Sequence, residues 1–170
     1  MFNRFYPKEH YLSVYDIDYE SLWARGFRGL VFDIDNTLAV FDEPLPSNEI
    51  LKLLKKLQSM GFKPCLFSNN SKARVKAFNK PLALPAIHKA GKPQKKGFRK
   101  ALSLLKMPRK KAVVIGDQLF TDVWGGNRCG IHTILVEPIA KRDEWTVKLK
   151  RALEKFVKNR YIKTSTKTKN

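Results

Sequence analysis

The sequence predicts an α/β fold, a three-layer sandwich in which helices cover both faces of a mostly parallel central sheet. Short apolar, β-rich runs alternate with stretches of helical periodicity, the rhythm of βαβ units. A length of 170 residues, 43% of them hydrophobic, suits one domain with a sizeable core. Two cysteines, Cys65 and Cys129, are too few for a disulfide scaffold and have no metal-spaced partners.

The elements follow in order. Residues 1–28 read as an N-terminal extension, whose Phe2, Phe5, Tyr6 and Tyr11 suit either interfacial anchors or a lid over the core. Residues 29–33 form the first strand. Ser47 caps a helix carrying Ile50, Leu54, Leu57 and Met60, and Gly61 stops it. Residues 63–68 make a second strand, 71–78 a helix and 86–88 a short strand. Pro93 sits where a first helical turn tolerates proline, ahead of Phe98, Ala101, Leu102 and Leu105. Residues 112–116 are a strand, 121–130 a helix ended by Gly130, and 132–136 a last strand, so the core spans 29–136. A basic helix over 143–161, with Trp145, Leu149, Leu153 and Phe156 on one face, completes a single domain of residues 1–163. Residues 164–170 read as a disordered basic tail.

The chemistry is concentrated where the first strand ends, in Phe32-Asp33-Ile34-Asp35-Asn36-Thr37-Leu38. Two carboxylates one residue apart raise each other's proton affinity and resist burial, so a strand end that carries them usually holds a cation. That reads as a metal-dependent phosphoryl-transfer site. A solvated turn with Asx and hydroxyl caps carries the same residues. In parallel sheets ligands bind beyond the carboxyl ends of the strands, so the other strand ends decide between the two. They carry Ser68-Asn69-Asn70, Lys92 in Gly91-Lys92-Pro93, and the second acidic turn Gly116-Asp117-Gln118-Leu119-Phe120-Thr121-Asp122.

In this order these pieces resemble the four motifs of the haloacid dehalogenase (HAD) phosphatase superfamily, over roughly residues 29–136. The fuller wording, from Phe5-Tyr6-Pro7 to Gly125-Gly126-Asn127-Arg128, resembles its subfamily IIIA, the YqeG-like branch, which includes phosphatidylglycerophosphate phosphatases of eukaryotic organelles. The resemblance implies a HAD-type, Rossmann-like fold. It makes Asp33 the nucleophile that forms an aspartyl-phosphate and Asp35 the general acid and then base. Thr37, Ser68, Asn69 and Lys92 would bind phosphate. Mg²⁺ would be held by Asp33, Asp117 and the Asp35 carbonyl, with Asp122 either orienting a metal-bound water or capping the helix beside it.

The intervals Thr37 to Ser68 and Ser68 to Lys92 leave no room for a cap domain, and an open site favours a phosphate presented on something large. Charge points the same way. Thirty-four basic residues face 15 acidic ones, a formal net charge of +19, and no acidic residue lies between Glu49 and Asp117. Such a field attracts polyanions, and the expected partner is a phosphorylated lipid on an anionic membrane surface. A nucleic-acid end or phosphoprotein substrate is the alternative, and a basic RNA- or ribosome-binding module with a secondary phosphatase site is another. No secretory segment and no apolar stretch of about 18 residues is present. The expected location is cytoplasmic, peripheral on the inner membrane face.

Overall fold

A computed structural model describes residues 2–140. Six strands form one wholly parallel sheet: β1 (Glu9–Tyr11), β2 (Gly29–Phe32), β3 (Lys63–Phe67), β4 (Ala86–Ile87), β5 (Ala112–Gly116) and β6 (His132–Val136), in the order β1-β6-β5-β2-β3-β4. From β2 the chain winds outward through β3 and β4, then returns to β2's other side for β5 and β6. The order therefore reverses between β2 and β5, where such sheets bind ligands. Every residue of β2 and β5 is buried, as expected of strands covered on both faces.

Alternate residues of these strands feed two cores. Leu30, Phe32, Leu66, Val113 and Ile115 meet α1 (Tyr19–Ala24), α2 (Asn48–Ser59) and α3 (Lys72–Asn79) through Leu22, Leu54, Leu57, Val75 and Phe78. Val31, Cys65, Phe67 and Val114 meet α4 (Lys95–Leu105) through Phe98, Ala101 and Leu105, with α5 (Trp124–Arg128) beside it. Each fully buried large side chain contributes about 1.5–3 kcal/mol. Ser47 and Ser71 open α2 and α3 by accepting the Ile50 and Arg74 amides at 3.3 and 3.2 Å. The three-layer sandwich is the architecture the sequence predicts. The chain from Thr37 to Ser68 is a loop, α2 and β3, and that from Ser68 to Lys92 is α3 and β4, with no inserted cap.

Three expectations need correction. The sheet does not begin at residue 29, because the N-terminal segment supplies β1, which pairs with β6, and α1, whose Tyr19 and Leu22 are core. Glu9-His10-Tyr11 is too short and polar to show strand periodicity. Pro93 is not in a helical turn. The Lys92–Pro93 peptide is cis, the Gln94 amide closes onto the Gly91 carbonyl at 2.8 Å, and α4 starts at Lys95. The helix expected over 121–130 starts earlier, with a π-helical turn at Leu119–Val123 leading into α5. The expected 143–161 helix and 164–170 tail lie outside the described residues.

Polar contacts bind β1 to the domain. Glu9 accepts from the Tyr11 hydroxyl at 2.8 Å and Arg25 at 2.9 Å, and lies 2.6 Å from His132 Nε2. Burial alone would raise the Glu9 carboxyl, but these donors hold it below its ordinary 4.5. Burial pushes His132 below its ordinary 6.5, although Glu9 opposes this. Both folded values lie below the unfolded ones, so each group's contribution is complete above its unfolded value and is lost as pH falls through the folded one. His132 acts first. The urea midpoint should therefore fall between pH 7 and pH 5, and fall less in His132→Gln; an equal fall in both proteins would refute this account.

Candidate active site

Backbone geometry brings the two leading carboxylates to one pocket. Asp33 still belongs to the ladder, its amide donating to the Ile115 carbonyl at 2.9 Å. The chain then folds back, with the Thr37, Leu38 and Ala39 amides all on the Ile34 carbonyl at 3.2, 2.9 and 3.1 Å. Asn36 occupies the left-handed region at φ 67°, which asparagine tolerates better than most residues. A pocket of about 310 Å³ opens beyond the strand ends, lined by Asp33, Asp35, Phe41, Ser68, Asn69, Asn70, Lys92, Gln118 and Thr121.

Lys92 and Asp122 complete the floor. The Lys92 ammonium, its side chain 3% exposed, donates to Asp33 Oδ1 at 2.6 Å and to Asp122 Oδ1 at 2.7 Å. Asp122 Oδ2 accepts the Gln118 amide at 3.2 Å, so this residue closes the first amide of its own turn while also facing the site. Asp117 leaves β5 next to Asp33, because β2 and β5 pair Phe32 with Ile115. A Cβ at Gly116 would lie on the Asp122 carboxylate, so the strand must end in glycine to admit it.

From β3, the Ser68 hydroxyl donates to Asp35 Oδ2 at 3.2 Å. Two further residues expected to bind phosphate also contact other groups of the site. The Asn69 carboxamide clamps the Lys92 backbone, accepting its N–H at 2.8 Å and donating to its carbonyl at 3.2 Å. It positions the lysine. Thr37 does not line the pocket, and its hydroxyl points to Asp117 Oδ1 at 3.5 Å. Asn70, part of the Ser68-Asn69-Asn70 strand end, and Arg74, which the sequence does not single out, hold Asp35 at 3.3 and 3.2 Å. A cation in the first turn of α3, against the helix dipole, was the available signal for Arg74.

Charge decides what this arrangement can bind. Burial pushes the Asp33 carboxyl up to about 7, with Lys92 pulling it down and Asp122 and Asp35 adding to the rise. Burial would lower Lys92, but Asp122 and Asp33 together hold it above the ordinary lysine range. The Lys92 ammonium bridges two carboxylates, and Asp117 joins them, since oxygens of Asp33, Asp117 and Asp122 lie within 4.8 Å of one another. The set is negative, compact and made of hard oxygen donors, which fits a divalent cation such as Mg²⁺. Among the described residues no helix is long and apolar enough to cross a membrane.

A parallel sheet that delivers an Asp-x-Asp turn, a serine, a buried lysine and a second acidic turn to its switch point defines a class, the HAD-type phosphatases. A HAD-hydrolase-like family model matches residues 89–159. "Probable phosphatase YqeG" of Bacillus subtilis (strain 168) is 40% identical over 153 residues, 90% of this chain and 89% of that protein. The chain belongs to this YqeG-like family of the HAD superfamily, and it is a phosphatase. "Phosphatidylglycerophosphate phosphatase 1, chloroplastic/mitochondrial" of Arabidopsis thaliana is 30% identical, covering 89% of this chain and 46% of that one. Its Chlamydomonas reinhardtii counterpart, named chloroplastic, is 29% identical, covering 82% and 56%. This chain thus spans about half the length of both.

Solved structures agree on the fold. CbbY from Rhodobacter sphaeroides in complex with phosphate superposes with a TM-score of 0.57 at 14% identity, over 69% of this chain and 89% of that one. The HAD-hydrolase YfnB from Bacillus subtilis bound to magnesium gives 0.54 at 16% identity, over 71% and 91%.

Two substitutions test the floor of the site. Lys92→Met leaves two buried carboxylates without their ammonium and should cost about 3–5 kcal/mol in urea unfolding with EDTA present. Wild-type stability in that variant would contradict the charge balance described. Gly116→Ala forces the Asp122 carboxylate aside. It should cost about 1–3 kcal/mol by overpacking and about a hundredfold in turnover through displacement of the site, read by thermal melting and steady-state kinetics.

Proposed function

We propose that this phosphatase is a Mg²⁺-dependent phosphomonoesterase working through an aspartyl-phosphate on Asp33, with phosphatidylglycerophosphate at a membrane surface as substrate. The observation that carries the reaction is the buried Asp33–Lys92–Asp122 cluster, with Asp117 alongside, opening into a pocket that also holds Asp35 and Ser68. Asp33, Asp117 and the Asp35 carbonyl would hold Mg²⁺, beside Asp122, and the bound ion would offset the negative charge that carboxylates and phosphoryl oxygens bring together.

An Asp33 carboxylate oxygen attacks phosphorus as the bond to the ester oxygen breaks, and Asp35 gives that departing oxygen its proton. Asp35 then takes a proton from water as the water oxygen attacks phosphorus and releases Asp33. Lys92 balances charge on Asp33 and the phosphoryl group, and the Ser68 hydroxyl would turn its one proton from Asp35 Oδ2 to a phosphoryl oxygen, leaving Asn70 on that carboxylate oxygen.

The lipid reading is supported by the names of the two plant and algal relatives and by an uncapped site in a basic chain. Phe41, 42% exposed, lines the mouth. A second hollow, lined by Leu12, Val14, Leu38, Ile50 and Ile139 together with Glu43 and Glu137, offers an amphiphilic ester some apolar surface.

Purified protein should release phosphate from phosphatidylglycerophosphate in anionic vesicles only with Mg²⁺, and Asp33→Asn should reduce this by at least about a thousandfold. Undiminished turnover in Asp33→Asn would sink the mechanism. Much faster cleavage of soluble phosphomonoesters, of a nucleic-acid 5′ or 3′ phosphate or of a phosphopeptide would sink the lipid assignment.

A further inference from the structure

Arg74 has no part in the chemistry above, yet its guanidinium is buried against the residue proposed to move the protons. Its side chain is 12% exposed and lies over the Phe78 ring, 5.3 Å from the centroid. Nε donates to Asp35 Oδ1 at 3.2 Å, and Nη2 is 3.2 Å from the same oxygen but out of line for a hydrogen bond. Nη1 and Nη2 are buried without hydrogen-bond partners among the described residues.

A device for holding the fold would not be built this way. A guanidinium offers five N–H donors, and burying one while leaving most of them unpaired costs more than an apolar side chain of similar size. Arg74 also stands in the first turn of α3, where the helix dipole opposes a cation. Both costs fall on a residue whose anionic partner is Asp35.

We infer that Arg74 is the positioning residue that aims the Asp35 carboxyl at the leaving oxygen. The two Asp35 oxygens are held from different directions. Ser68 and Asn70 take Oδ2 at 3.2 and 3.3 Å from the end of β3, while Arg74 takes Oδ1 from α3. Tethered at Oδ2 alone, the carboxyl could still turn about its Cβ–Cγ bond. Held at both oxygens, it has one orientation toward the pocket it shares with Asp33.

The inference rests on the reading of Asp35 as acid and then base, and its consequence is selective. An alkyl ester cannot expel its alkoxide at a useful rate unless the proton arrives as the P–O bond breaks. p-Nitrophenolate leaves without one.

The test compares kcat/KM, with saturating Mg²⁺, on an alkyl phosphomonoester (phosphatidylglycerophosphate in anionic vesicles) and on p-nitrophenyl phosphate. Arg74→Gln should lose about tenfold to a hundredfold on the alkyl ester and under about threefold on the aryl ester. Arg74→Lys, which keeps the charge but not the planar donor geometry, should fall between wild type and Arg74→Gln, and it serves alone if Arg74→Gln does not fold. In an Asp35→Asn background, Arg74→Gln should add less than about twofold, because the residues act as one unit.

Equal losses on both esters, or a loss in the Asp35→Asn background as large as in wild type, would overturn the positioning role and leave the phosphatase reading standing. Wild-type protein that cleaves neither ester would overturn that reading, and the role of Arg74 with it.

Discussion

A single lysine ammonium sits between two buried carboxylates at the edge of the sheet, and much of the architecture is explained by the need to keep it there. Lys92 bridges Asp33 from the end of β2 and Asp122 from the turn after β5, so one cation ties together strands brought side by side only by the tertiary fold. Such a cluster tolerates burial only with good geometry and satisfied donors. The surroundings supply both. Asn69 grips the Lys92 backbone through two hydrogen bonds, Gly116 leaves the space that Asp122 fills, and the Gln118 amide takes the other Asp122 oxygen.

The sheet makes this geometry possible because its strands are parallel and in matched register. Pairing of Phe32 with Leu66 and Ile115 brings the segments beginning at Asp33, Phe67 and Gly116 to one level. A shift of one residue would send each side chain to the opposite face. The two hydrophobic cores, one on each face, hold that register, so packing far from the pocket bears directly on the separation of the groups that line it. The same cluster gathers carboxylate oxygens of Asp33, Asp117 and Asp122 within 4.8 Å of one another, a hard-oxygen set that fits a divalent cation.

Much of this was legible in the sequence, for particular physical reasons. β2, β3, β5 and β6 are apolar runs bounded by glycine, proline or polar residues, and α2 is a clean amphipathic helix opened by Ser47. Such signals are local. β1 was not legible, because three residues that include Glu9 and His10 become a strand only by pairing with β6. The bend at Pro93 was not legible either: the sequence allows proline in a first helical turn, but the Gln94 amide closes onto the Gly91 carbonyl and α4 starts two residues later, at Lys95.

The sequence by itself pointed to the reaction class, because Asp33, Asp35, Ser68, Lys92 and Asp117 fall at successive strand ends in the order that resembles the motifs of the HAD phosphatases. It also determined the parallel α/β scaffold and the absence of a cap, because the intervals between motifs are short. Only the tertiary structure decided how the parts divide their labour. Asn69 serves Lys92, Thr37 turns to Asp117, and Asp122 both closes its turn and meets the ammonium. Arg74, one lysine or arginine among 34 in the sequence, carries only a weak local signal, its place in the first turn of α3, and burial against Asp35 is what distinguishes it. Spacing along a chain specifies which groups can meet at a strand end, but hydrogen-bond direction and burial depend on contacts between segments distant in sequence, and those exist only once the sheet has assembled.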